Sequence, residues 1–129
     1  MVTWNQLCRL AGALPDVTVG TWYGTPGLKV RDKGFVRLKE DAATVVFMLD
    51  SIDAQEALIE AMPAVYFITD HYKGSRAVLA RLAKLSPAEA RDRLEHAWRQ
   101  KASPALIAAQ RPAGERTAAA ASPRKPRRR

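Results

Sequence analysis

Apolar residues near the start of the chain recur at helical spacing. Trp4, Leu7, Ala11 and Leu14 fall on one face of a helix. Thr3 and Gln6 stand in the arrangement of a capping box, and Pro15 with Asp16 breaks the pattern, so a helix is predicted over 3–14. The period then changes. "VTVGTWYGTPGLKVRDKGFVRLKEDAATVVFMLD" is rich in Val, Thr and aromatics and is punctuated by glycines, which predicts strands and tight turns. "GLKVR" and "FVRLK" flank "DKG", and a three-residue loop with Gly34 in a left-handed conformation would close them as a hairpin. That register sets Val30 opposite Val36, Leu28 opposite Leu38 and Lys29 opposite Arg37. Leu28, Val30, Val36 and Leu38 would share one face, and Lys29, Arg31, Arg37 and Lys39 the other. Thr44–Leu49, apolar on both faces, reads as a central strand.

A second helix is predicted over 53–62, capped by Asp53 and Glu56, with Leu58, Ile59 and Met62 inward and Pro63 as its stop. "AVYFIT" and "AVLARL" read as strands. The third helix has the strongest local signals: Ser86 at the cap, Pro87 at its first position and Glu89 completing a box. Ala90, Leu94, Ala97 and Trp98 make its apolar stripe, and Glu89–Arg93 and Glu95–Arg99 make i,i+4 pairs on its polar side. A short turn, "PALIAA", follows Pro104.

Composition divides the chain. Residues 111–129 hold seven Lys/Arg and one Glu, while residues 1–110 hold fourteen Lys/Arg and twelve Asp/Glu. The total of +8 is therefore +6 in the tail and +2 in the body. We expect a folded domain over 1–110 and a basic Ala/Pro/Arg-rich tail over 111–129 that has little to bury and is disordered alone. The single cysteine, Cys8, excludes a disulfide framework and a cysteine zinc site. No apolar run approaches a membrane span, no signal peptide is recognisable, and a cytoplasmic location is expected.

The segments "YGTPGLKVRDKGFVRLKED", "VYFITDHYKG", "AVLARL" and "AEARDRLEHAWR" together resemble the MmcQ/YjbR family of small bacterial proteins, from about Leu10 to Leu106. The resemblance implies an α+β two-layer sandwich, CyaY-like. In it a curved antiparallel sheet of about five or six strands, a common sheet size, packs against helices. It also implies DNA binding, and it brings no catalytic residues to carry over. The chain departs from the family pattern at Asp70, where Pro usually precedes the "HY" pair. It departs again at Ser75 and Arg76, where an aromatic often stands, and at Gly27, where Ala is usual.

Two readings exist for each candidate site. In the "HYKG" loop, Tyr72 would stack on a base while Lys73 and Arg76 meet phosphates. Alternatively His71, Tyr72 and Gly74 hold the shape of the turn, with His71 bonded to backbone and Gly74 at positive φ. We read those three as the structural motif, and Lys73 and Arg76 as partner-facing. On the hairpin, Lys29, Arg31, Lys33, Arg37 and Lys39 form either a basic wing for phosphates or a solvated strand face. In the tail, Arg124, Lys125, Arg127, Arg128 and Arg129 form either an arm along nucleic acid or a solubilising end. Trp4, Trp22, Tyr23 and Trp98 are assigned to the core. His71 and His96 have no partners at metal-ligand spacing, so no metal, cofactor or catalytic residue is expected, and no enzyme. The first functional expectation is a protein that binds DNA with little sequence preference and does not bind membranes. The second is a protein- or small-ligand-interaction module whose tail is incidental or binds RNA.

Overall fold

The computed structural model describes residues 1–109, so expectations for the tail, its five terminal cations included, lie outside the described residues. The chain runs α1 (Trp4–Ala11), β1 (Val17–Trp22), β2 (Thr25–Val30), β3 (Lys33–Leu38), β4 (Thr44–Met48), α2 (Ile52–Ala61), β5 (Tyr66–Phe67), β6 (Ala77–Arg81), α3 (Pro87–Lys101) and α4 (Pro104–Ala109). Six strands form one antiparallel sheet in the order β1-β2-β3-β4-β6-β5. This is the α+β arrangement expected. The crossover through α2 brings β6 in beside β4 and leaves the two-residue β5 at the edge. "AVYFIT" is therefore a strand only at its centre.

Helix α3 packs on β3, β4 and α1, and the main core fills the space between them. Its stripe is the predicted one: Ala90, Leu94, Ala97 and Trp98 are buried. Burying Trp98 completely is tolerable because its indole N–H donates to the Pro15 carbonyl at 3.0 Å. Ser86 caps α3 by accepting from the Glu89 N–H. The Glu89 carboxylate, however, accepts from the Tyr66 hydroxyl and pairs with Arg93. Desolvation, then this hydrogen bond, pushes the Tyr66 phenol far up. Thr3 and Gln6 form the full capping box of α1, but the helix stops at Ala11, three residues before the prediction. Ser51, not Asp53, caps α2, its hydroxyl accepting from the Ala54 N–H. The cap lies two residues earlier because the extended Ser51 offers its oxygen from outside the helix.

The predicted hairpin register is wrong. A two-residue turn, Arg31 (φ 48°) and Asp32 (φ 72°), closes β2 and β3. Val30 faces Lys33, Lys29 faces Gly34, Leu28 faces Val36 and Gly27 faces Arg37. A bulge at Phe35 reconciles this turn with the core. It lets Phe35 and Val36, adjacent in sequence, both enter the helix-side core. Burial of a Phe side chain contributes about 1.5–3 kcal/mol, enough to offset a strained turn residue. The shift also separates Lys29 from Arg37, so the expected like-charge pair never forms.

Candidate nucleic-acid interface

The sheet face away from the main core carries the site. Strand alternation places one row straight across it: Gly20, Gly27, Arg37, Val46, Leu79 and Phe67. Val46, Ala77 and Leu79 form a second, small apolar cluster there, with Met48, Phe67 and Tyr72 packed against it. The glycines leave room for a flat ring. A Cβ on Gly34 would sit 2.6 Å from the Trp22 indole, and one on Gly27 would sit 3.1 Å from the Trp22 Cβ. Gly34 is thus required for ring packing and not for the turn. The Lys29 stem lies beside Gly20.

Arg37 is the centre of this face, and it is buried. Its guanidinium donates to the Thr25 hydroxyl at 3.3 Å and to the Tyr72 hydroxyl at 3.1 Å. It lies 3.5 Å from the Glu40 carboxylate and 5.6 Å from the Tyr23 ring centroid. Lys39 stands 5.6 Å from the Tyr72 ring and 3.9 Å from Glu40. The hairpin and the "HYKG" loop, 35 residues apart, therefore meet through Arg37, Lys39 and Tyr72. A hydrogen bond to its own backbone holds the Glu40 carboxyl below the usual range, and the Arg37 and Lys39 charges add to this.

The loop is built as a short 3-10 turn over Asp70–Tyr72. Gly74 has φ +80°, which any L side chain would strain. The Ser75 N–H and hydroxyl both donate to the Tyr72 carbonyl, at 3.0 and 2.8 Å. Beneath it, the buried Gln55 amide donates to the carbonyls of Ala77 (2.8 Å), Ser75 (3.0 Å) and Tyr72 (3.3 Å). Gly74 and Tyr72 thus have structural roles. His71 differs: it is exposed and meets Tyr72 edge to face at 4.9 Å, in place of the predicted backbone contact.

A cleft of about 720 Å³ opens over this face. Tyr23, Tyr72, His71 and Arg37 line it, Arg76 enters from the loop, and Lys101 from the end of α3. Arg76 and Lys73 are exposed. Arg31 and Lys33 lie at the far hairpin turn, and Arg31 pairs with Asp16 at 2.6 Å. The basic hairpin residues are therefore not one stripe: Arg37 lines the cleft and Lys39 stands by the Tyr72 ring at its side, while Arg31 and Lys33 stand apart.

Trp22 and Tyr23 do not take the core positions expected for them. Trp22 is half-buried on the open face, and Tyr23 is 79% exposed. Tyr23 and Gly24 form a two-residue turn, with φ 57° and 80°. The signal was present in "WYG", an aromatic pair before a glycine at the end of a Thr/Val strand. Gln55 and Thr25 carried no comparable signal. Among the described residues no helix is long and apolar enough to cross a membrane, and no three His, Cys, Asp or Glu side chains gather as a metal site.

The uncharacterized proteins Rv2570 of Mycobacterium tuberculosis and Mb2600 of Mycobacterium bovis are each 27% identical to this chain over 123 residues, covering 84% of it and 95% of their own length. The YjbR family model matches residues 12–100, which take in the whole sheet, the "HYKG" loop and α3 up to Gln100. The chain belongs to the YjbR family.

Proposed function

We propose that this protein binds nucleic acid, DNA in the first instance, with little sequence preference and without catalysing a reaction on it. The open sheet face makes the contact, and the cations of residues 111–129 supply most of the affinity. The observation that carries this reading is the junction of Arg37 and Lys39 with Tyr72 on a face that also presents Trp22, Tyr23 and His71. Cations interleaved with accessible rings suit phosphates and base faces together. The charge is modest, since Glu40 stands against Arg37, Arg76 and Lys101 around the cleft. That balance fits a body of +2 that relies on the tail for long-range attraction.

A salt series with full-length protein and duplex DNA tests the proposal. Binding is expected at low salt and falls steeply as salt rises. Removing residues 124–129 takes away five cations and shrinks the log–log slope by about four to five units. Absence of binding at low salt refutes it. The cleft also favours a second reading, a small-ligand module, because its volume lies within the range of about 300–1,000 Å³ found for such sites.

A further inference from the structure

We infer that the cleft over Arg37 takes one unpaired nucleotide of a single strand, its base against Tyr23 and its phosphate toward Arg37 and Arg76. This rests on the nucleic-acid reading above and narrows it from nucleic acid in general to single-stranded over duplex.

Three observations carry it. First, Tyr23 is a strained, exposed aromatic. It holds φ 57° at a turn position where Gly or Asn is the unstrained choice, and its ring is 79% exposed. Strain of this kind persists at sites where the side chain has a use. Second, the ring is held in place. It stacks on Trp22 at 5.7 Å and 24°, and Trp22 lies on the sheet only because Gly27 and Gly34 leave room for it. Third, the cation is sunk among rings and is not raised on a ridge. Arg37 has a side chain only 10% exposed, fixed by Thr25 and Tyr72, and its acidic neighbour Glu40 is 69% exposed. A phosphate can displace that solvated carboxylate from the rim.

Stacked bases in a duplex offer no π-face to Tyr23, while unpaired bases do. The tail cations contact phosphates of either form, so a preference for single strands must come from the folded face. The hairpin supports this, because Arg31, at its turn, is paired with Asp16 and is not aligned with Arg37 along a duplex track.

Full-length protein is titrated against a labelled single-stranded oligonucleotide and against a hairpin duplex of the same sequence. The salt is about 0.15 M, where screening acts beyond roughly 8 Å and weakens tail contacts. The single strand is expected to bind more tightly and to quench Trp22 emission. Tyr23→Gly removes the ring and relieves the turn. It should leave the melting temperature unchanged or raised while weakening single-strand binding about five- to a hundredfold, as loss of one stacking ring does. Duplex binding should fall by a smaller factor than single-strand binding, since phosphate contacts dominate it. Arg76→Gln, at an exposed position, should weaken single-strand binding as well. Equal affinity for the two forms, with Tyr23→Gly silent, overturns the inference and leaves the nucleic-acid reading standing. No binding to either form, even at low salt, overturns both. Saturable binding of a nucleoside monophosphate with no binding of oligonucleotides also overturns both, in favour of a small-ligand module.

Discussion

Gln55 is the hidden support of the site, and removing it has a calculable effect. It is the only buried residue of α2, at 2% exposure. Its amide nitrogen faces three carbonyls on the loop and the start of β6, two of them at 2.8 and 3.0 Å. The nitrogen has two hydrogens, so those two bonds take both, and the Tyr72 carbonyl at 3.3 Å shares one. Each bond contributes about 1 kcal/mol net, and a carbonyl left dry costs a further 1–3 kcal/mol. The Tyr72 carbonyl already accepts from Ser75, so it is not orphaned. Gln55→Ala should therefore lose about 2–4 kcal/mol, read as a lower urea midpoint at unchanged m-value. Amide hydrogen exchange should quicken across residues 70–76 before the central strands.

Gln55→Glu sharpens the test. It keeps the shape but turns a carboxylate toward carbonyls, which raises its folded-state pKa above the ordinary value of about 4.3. The ionised form is then penalised, in full above the folded pKa and not at all below the unfolded one. The variant should gain stability relative to wild type as pH falls toward about 4.3. It should not recover completely, because a protonated acid has one donor in place of two. A loss below about 0.5 kcal/mol for the alanine variant would refute this reasoning, since surface substitutions fall in that range. So would a glutamate variant that tracks wild type at every pH.

Other predictions follow from the same contacts. Gly34→Ala would place a Cβ 2.6 Å from Trp22, so it should lose about 1–3 kcal/mol by overpacking. It should also swing the indole into water, seen as a red-shifted emission. Tyr72→Phe removes a partner of the Arg37 guanidinium at 3.1 Å and should lose about 1.5–3 kcal/mol, as hydrogen bonds to charged groups do; denaturant unfolding measures it. His96 accepts from the Asp50 N–H at 3.2 Å. Burial lowers its pKa, against the opposing Asp50 charge. Its stabilising share is thus complete above about pH 6.5, the unfolded value, and is lost as pH falls through the lower folded value. His96→Asn should flatten that part of the pH–stability profile, and an unchanged profile would remove His96 from the account.

How much of the molecule was legible depended on how local its causes are. Helix α3 could be read residue by residue because Ser86, Pro87 and the Ala90–Leu94–Ala97–Trp98 stripe act within a few residues of one another. The hairpin was misread because Gly34 has two possible reasons to be glycine. Turn chemistry was the local one, but the true one is the Trp22 ring on a neighbouring part of the sheet. The bulge at Phe35 follows from the demand of the core and leaves no mark in the turn residues. The site had the same problem at longer range. Arg37 looked like one of five equivalent cations, and what sets it apart, the Tyr72 hydroxyl, lies 35 residues on. Gln55 meets partners 17 to 22 residues away from a helix whose pattern gives no hint of them. Tyr23 has the residue type of a core position, yet the αL turn turns it out to solvent.

The most direct test of the central claim, that the folded face and not the tail alone meets nucleic acid, is an NMR titration of full-length protein with a short DNA single strand. The account predicts saturating shifts at the Trp22 indole N–H, the Arg37 guanidinium and the Tyr23–Gly24 turn, together with the amides of residues 71–76. Shifts confined to residues 111–129, with the Trp22 and Arg37 signals unmoved at saturation, would contradict it.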